Sequence, residues 1–186
     1  SNKSLKDIGQ DIRSEVIKMH LGLSGDKISF IDHSFGHIAY AYCSGPLNGK
    51  DSYAVSVDAF GDFVNYSAYL FKKYKNKNIT YKKIVSESNS VIARMYRYIT
   101  LLLGMKPNEH EYKVMGLAPY CKLKYSQELY VESNGASDGN LCLAGGIFLN
   151  CNANYKIANE TDFDNVVLYP ACGDDGTAAG SALWFV

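Results

Sequence analysis

Residues 141–154, with the sequence LCLAGGIFLNCNAN, indicate how this chain folds. A short apolar run, 141–144, leads into Gly145 and Gly146, and a helix is expected from Ile147. The same order recurs downstream, where the apolar run 166–169 precedes the turn 173–176 and an alanine-rich segment. A strand, a glycine turn and a helix, found twice, are typical of the α/β class. The sequence therefore predicts an α/β fold whose strand ends and helix N-termini face a ligand.

The first part of the chain adds helices and further strands. Apolar residues at helical spacing predict a helix over 5–21 that ends near Gly22. Further strands are predicted at 27–31, 52–58, 63–71 and 79–85. The last three are expected to form an antiparallel meander, followed by a helix over 90–103 that ends at Gly104. We expect one mixed sheet with the strands at 141 and 166 in its centre and helices on its faces.

The glycine turn at 145–146 suits a phosphate or a nucleotide. Glycine lets the backbone approach a ligand, and the next helix offers unpaired N–H groups to an anion. Gly145→Val is therefore expected to displace a bound nucleotide without unfolding the protein. Tight turns also use glycine without any ligand, so this feature alone leaves both interpretations open.

Two histidines and two aspartates are candidates for a metal site. His33 and His37 stack on one face if their segment is helical. Asp58 and Asp174 each follow a predicted strand, where a buried carboxylate needs a partner or a cation. Together they offer two nitrogen and two oxygen ligands, a set suited to iron, zinc or manganese. Surface or capping roles remain the alternative for each residue taken singly.

Composition narrows the possible partners. Lys plus Arg and Asp plus Glu are both 19, so no overall field attracts nucleic acid or an anionic membrane. The lysines within residues 72–77 are interpreted as a solvated turn. The five cysteines include no C-x-x-C pair, which favours reduced thiols in a cytoplasmic protein. No apolar run approaches the roughly 18 residues of a membrane span. We expect a cytoplasmic protein that binds neither nucleic acid nor a membrane.

Five segments in order carry a family resemblance from residue 27 onward. They are the histidine segment DHSFGHIAYAY at 32–42, VDAFGD at 57–62, EYKVMGLAPY at 111–120, LCLAGGIFLNCNAN at 141–154 and PACGDDGTAAG at 170–180. Together they resemble the carbamoyltransferase family, which includes nodulation-factor and antibiotic O-carbamoyltransferases. The resemblance implies an actin-like ATPase fold, similar to the universal tRNA threonylcarbamoyl transferase. It also implies that carbamoyl phosphate and ATP give a carbamoyl-adenylate, whose carbamoyl group passes to a hydroxyl of a small-molecule or glycoside acceptor.

The resemblance assigns roles to particular residues. It implies a divalent transition metal, iron first, with zinc or manganese as alternatives, held at the catalytic centre by His33, His37, Asp58 and Asp174. It places the nucleotide along Gly145, Gly146, Asn150, Gly173, Asp175 and Gly176. It puts Glu111 and Lys113 on the acceptor side, with an exposed ion pair as the alternative.

The chain departs from the family in several places. Ser34, Ala59 and Cys121 replace a histidine and two glycines that are usual there. A first phosphate loop, a longer acceptor-binding stretch between 120 and 141, and a C-terminal adenylate-forming domain of the YrdC type are expected to be absent. We therefore expect residues 1–186 to be a partial domain, a fragment or an internally shortened chain.

Two other functions remain open. A tRNA threonylcarbamoyl transferase is disfavoured by the 111–120 motif and by the neutral charge. A non-catalytic nucleotide-binding or metal-binding remnant is supported by the missing phosphate loop.

Overall fold

The computed structural model describes residues 4–73, 79–120 and 139–185. The chain divides into two compact units, Ser1–Asp32 and His33–Val186. The first unit is built on the helix α1, Leu5–Leu21. Ser4 and Asp7 form a reciprocal capping box at its start, and Gly22 ends it in a left-handed conformation with φ 63°. The predicted helix and its end are therefore confirmed.

The strand predicted at 27–31 is wrong. A 3-10 helix occupies Gly25–Lys27, and residues 28–32 form no regular element. Residues 4–32 contain no strand with which this apolar run could pair. The Phe30 ring packs instead against the Arg13 guanidinium, whose carbon lies 5.7 Å from the ring centroid.

The second unit contains a five-stranded mixed sheet. Its strands are β1 (Ser52–Gly61), β2 (Val64–Lys73), β3 (Ile79–Glu87), β4 (Asn140–Ala144) and β5 (Asn165–Leu168), in the order β3-β2-β1-β4-β5. The antiparallel pairing of β1 with β2 and β2 with β3 confirms the predicted meander. β4 pairs parallel with β1, and β5 pairs parallel with β4. The strand β4 lies inside the sheet as predicted, whereas β5 forms an edge of the described sheet and β1 is the central strand.

The helices of this unit are α2 (His33–Ser44), α3 (Ile92–Leu102), α4 (Glu111–Gly116), α5 (Cys151–Glu160) and α6 (Asp175–Trp184). The helix predicted from Ile147 is shorter than expected, because a 3-10 helix at Gly146–Leu149 precedes α5. The α/β class and the mixed sheet flanked by helices are confirmed.

The helices α2 and α6 pack together and α2 lies on the sheet, where β1 and β4 present small buried residues such as Ala54 and Ala144. A Cβ added to Gly180 would lie 2.1 Å from the carbonyl oxygen of Gly36, so the two helix backbones touch at this point. This close approach brings the first turns of both helices together at one end of β1.

The opposite face of the sheet carries an apolar core. Its buried members are Val57, Leu141, Leu143, Phe148 and Cys172, with Ile157 of α5 packed against them. Alternation along β1 and β4 thus directs large apolar side chains to this face and small ones to α2.

Candidate metal centre

The two histidines lie on the first turn and a half of α2. His33 is the first residue of the helix, and His37 follows one turn later on the same face. The side chain of His37 is fully buried, whereas that of His33 is 24% exposed. Their rings meet edge to face, with centroids 4.6 Å apart. The helix therefore places both imidazoles at one position, as the spacing predicted.

The two aspartates come from the ends of other elements. Asp58 lies near the end of β1, at the irregularity between Val57 and Gly61 in its pairing with β2. Asp174 precedes α6, and its side chain makes no capping hydrogen bond to that helix. Its carboxylate is therefore available to point toward the histidines, and the capping alternative does not apply to it.

The four side chains converge. The Nε2 atoms of His33 and His37 are 3.1 Å apart and lie 3.1 and 3.0 Å from Oδ2 of Asp58. Oδ1 of Asp174 is 3.4 Å from Nε2 of His33 and 3.3 Å from Nε2 of His37. One ligand atom from each residue lies within 4.8 Å of the other three.

The five separations that involve a histidine nitrogen match the edges of a coordination polyhedron. With metal–ligand bonds of about 2.1 Å, neighbouring ligand atoms are about 3.4 Å apart in a tetrahedral site and about 3.0 Å apart in an octahedral one. Hydrogen bonds alone would satisfy the polar atoms of this cluster poorly. If both Nε2 atoms carried a proton for Asp58, two N–H groups would crowd each other along the 3.1 Å nitrogen–nitrogen edge. The residues therefore fit a single cation, whose charge would attract all these lone pairs at once.

The electrostatics of the metal-free cluster favour an ionised Asp58 and a protonated His33. Burial alone would raise the pKa of Asp58, but the hydrogen bonds from His33 and His37 outweigh it and hold the pKa of this carboxyl well below its usual range. The hydrogen bond to Asp58 raises the pKa of His33, against the opposing effect of burial and with support from Asp174. A proton and a cation therefore compete for Nε2 of His33.

The cluster is open on one side. The side chain of Asp174 is 76% exposed, whereas that of Asp58 is 18% exposed. On the closed side, Nδ1 of His37 is buried, and no described residue offers it a hydrogen bond. Among the described ligand residues, Asp174 gives the cluster its most exposed side, whereas His37 closes the inner side.

The two glycines of the turn after β4 have different surroundings. Gly145 has φ 95°, and a Cβ there would lie 2.3 Å from the carbonyl oxygen of Val57. The expectation that Gly145→Val leaves the fold intact is wrong, because a side chain there would strike the backbone of β1. The loss of nucleotide binding stays a prediction. A Cβ on Gly146 would lie 2.9 Å from Oδ1 of Asp58. Gly146 thus borders the cluster, and Gly145 holds β4 against β1.

The other residues assigned to the nucleotide already have local contacts. The Asn150 side chain accepts hydrogen bonds at the start of α5 and donates to the hydroxyl of Tyr96 at 2.6 Å. A Cβ on Gly176 would lie 2.0 Å from the carbonyl oxygen of Ala171, whereas one on Gly173 would meet the carboxylate of Asp175 at 3.1 Å. These contacts explain each residue by local packing or hydrogen bonding, and their roles in nucleotide binding stay predictions.

Glu111 and Lys113 lie on the short helix α4. Glu111 accepts a hydrogen bond of 2.7 Å from the backbone N–H of Asn108. Nζ of Lys113 lies 5.8 Å from the ring centroid of Tyr112. Among the described contacts, neither residue pairs with the other, and their acceptor-side role stays a prediction.

Sequence reasoning missed two residues beside the cluster. Gly61 lies under the His33 imidazole, and Asp62 accepts a hydrogen bond from the His33 backbone. The available signal was the second half of the VDAFGD motif, which contains both residues.

The fold and the cluster define an α/β protein with a candidate two-histidine, two-carboxylate cation site beside its central strand. Residues 17–136 and 127–183 match the model of the family described as "Carbamoyltransferase N-terminus". The chain belongs to this family, and membership points to carbamoyl transfer. None of the helices in the described part of the chain is long and apolar enough to cross a membrane.

Similar proteins are considerably longer than the matched region. The chain is 25% identical to the uncharacterized protein MJ1058 of Methanocaldococcus jannaschii, in an alignment covering 84% of this chain and 37% of that protein. It is 33% identical to the uncharacterized protein MJ1051 of the same organism over 46% of this chain and 16% of that protein. The uncharacterized protein sll1178 of Synechocystis sp. is 54% identical over 24% of this chain and 7% of its own length. The chain thus spans less than two fifths of each of these relatives.

Proposed function

We propose that this chain is the metal-bearing domain of an ATP-dependent O-carbamoyltransferase with an actin-like ATPase fold. The observation that carries the proposal is the convergence of His33, His37, Asp58 and Asp174, which come from three of the five family-like motifs. Family membership supports carbamoyl transfer in general. The ATP dependence, the metal and the hydroxyl acceptor are parts of the proposal. Since the chain covers 37% of MJ1058, we place the adenylate-forming domain in a further part of the complete protein.

The four residues would hold a divalent transition metal through two Nε2 atoms and two carboxylate oxygens. Iron, zinc and manganese accept such a ligand set, whereas two imidazoles suit magnesium poorly. When bound, the cation would offset phosphate charge and polarise the carbamoyl carbonyl. The exposed side at Asp174 is where the carbamoyl-adenylate and its acceptor would approach.

The reaction assigned to this site is a substitution at the carbamoyl carbon. The acceptor hydroxyl oxygen forms a bond to that carbon, and the bond from the carbon to the adenylate phosphate oxygen breaks. AMP leaves with the electron pair, and the hydroxyl proton is released. Gly146 and the 173–176 turn, which border the cluster, would lie along the AMP portion, and small hydroxylated molecules are the proposed acceptors.

Carbamoyl transfer by the protein expressed from its complete gene tests the proposal. Carbon-labelled carbamoyl phosphate, ATP and a panel of hydroxylated acceptors should give a labelled carbamate ester together with AMP. The variant His37→Ala should lose this product, whereas His20→Ala, which changes an exposed histidine of α1, should retain it. Absence of any labelled ester with metal-loaded wild-type protein would refute the function, and equal product from both variants would refute the site.

A further inference from the structure

The turn between β1 and β2 contacts His33 in two ways. The backbone N–H of His33 donates a hydrogen bond of 2.8 Å to Oδ2 of Asp62. A Cβ added to Gly61 would lie 2.0 Å from Cδ2 of His33 and 2.3 Å from Cγ. We propose that Gly61 and Asp62 position His33 as a metal ligand, Gly61 by leaving room for the imidazole and Asp62 by holding the backbone of the helix start. This inference rests on the metal site proposed above.

His33 needs such support more than His37 does. As the first residue of α2, His33 has a backbone N–H without a partner inside the helix. Its ring is also partly exposed, whereas the ring of His37 is enclosed by the core. A carboxylate that accepts the His33 N–H fixes the helix end and therefore the origin of the side chain. His37 is fixed by packing instead.

Asp62 suits the turn as well as the hydrogen bond. Asp62 and Phe63 both have positive φ, 50° and 65°, between the paired residues Gly61 and Val64. Two-residue hairpin turns of this kind favour asparagine, aspartate or glycine at the first position. Of these three residue types, only aspartate and asparagine also bring a side-chain acceptor to His33.

A proposed metal ligand lies just before this turn. Asp58 precedes Gly61 by three residues, and its Oδ2 lies 3.1 Å from Nε2 of His33. The segment 58–62 therefore supplies one ligand, Asp58, and holds a second, His33 of α2. A single hairpin end thus sets the distance between these two ligands. Residues that orient a ligand in this way affect metal affinity without touching the metal.

Titration of this chain with Co²⁺ alone tests the inference, because the visible spectrum of Co²⁺ reports both affinity and ligand geometry. Asp62→Gly keeps a residue that tolerates positive φ but removes the acceptor, whereas Asp62→Asn keeps both. Gly61→Ala keeps the acceptor and fills the space of the ring. We expect Asp62→Gly and Gly61→Ala to bind Co²⁺ at least about tenfold more weakly with an altered spectrum, and Asp62→Asn to bind within about threefold of wild type. Ser4→Ala, which removes the α1 cap, is the matched control and should bind Co²⁺ as wild type does.

Each outcome decides the inference. Wild-type affinity and spectrum in Gly61→Ala or in Asp62→Gly would overturn it, and so would equally weak binding by Asp62→Asn and Asp62→Gly. If circular dichroism shows that Asp62→Gly does not fold, Gly61→Ala and Asp62→Asn still decide the question. Wild-type protein that binds no Co²⁺ would overturn both the metal site and this inference. If the wild-type chain binds Co²⁺ but the protein expressed from the complete gene transfers no carbamoyl group, only the proposed function is refuted.

Discussion

Replacing Gly145 with alanine should destabilise the protein far more than the same change at Gly104. Both glycines have positive φ, 95° and 70°, so alanine is strained at each. That conformational cost is about 1 kcal/mol. The added Cβ meets nothing within 4 Å at Gly104, but at Gly145 it would lie 2.3 Å from the Val57 carbonyl oxygen and 2.7 Å from the carbonyl carbon. Overpacking of this kind costs about 1–3 kcal/mol more.

We therefore expect losses in the free energy of unfolding of about 3 kcal/mol for Gly145→Ala and about 1 kcal/mol for Gly104→Ala. Urea denaturation without added metal or nucleotide measures both values, and Gly104→Ala serves as the control for backbone strain. In a chain of this size, the difference of about 2 kcal/mol should appear as a melting point lower by about 4–8 °C. Equal losses in the two variants would refute the argument that Gly145 is required by the contact between β4 and β1.

Three further predictions concern the cluster. His37→Ala should abolish stoichiometric binding of a transition metal, measured by elemental analysis of protein purified without chelator, whereas His20→Ala should leave it unchanged. Gly146→Ala should weaken metal affinity by about tenfold, because the added Cβ would displace the Asp58 carboxylate. Little stability should be lost, because Gly146 has no positive φ. Unchanged affinity in a calorimetric titration would contradict this prediction. In the metal-free chain, the raised pKa of His33 contributes stability that is present below 6.5 and is lost as the pH rises through the raised value. The lowered pKa of Asp58 contributes stability that is present above 3.8 and is lost as the pH falls through the lowered value, so urea unfolding should show the largest contribution of this pair between about pH 4 and 6.5.

The regular elements of the second unit could be predicted because the hydrophobic pattern of each sequence segment agrees with the faces that the element buries. Alternation in β1 matches one apolar face and one face of small residues, and the antiparallel meander follows from short connections. The strand predicted from the apolar run at 27–31 is wrong because a strand also needs a neighbouring strand, which its own residues do not specify. The prediction that β5 lies in the centre of the sheet was wrong for a similar reason, since an apolar run does not show how many strands flank it.

The cluster could be predicted because each ligand lies in a recognisable motif and two of them share one helical face. The support around it could not be predicted in the same way. Asp62 acts on His33 through a backbone N–H, and Gly61 acts by lacking a side chain, so neither contact leaves a characteristic residue pair. Only the hairpin geometry, with positive φ at Asp62 and Phe63, brings residue 62 back to residue 33.

The glycine turns show why a motif can identify a site without identifying the role of each residue in it. Gly145 and Gly146 are neighbours in one motif, yet one is required by the backbone of β1 and the other borders a carboxylate of the cluster. The same division separates Gly176, where an added Cβ would meet the backbone of Ala171, from Gly173, where it would meet the side chain of Asp175. A ligand can use only the backbone that packing leaves accessible. A nucleotide bound along these turns should therefore contact Gly146 and Gly173. Substitutions at Gly145 and Gly176 should instead lower the stability of the protein.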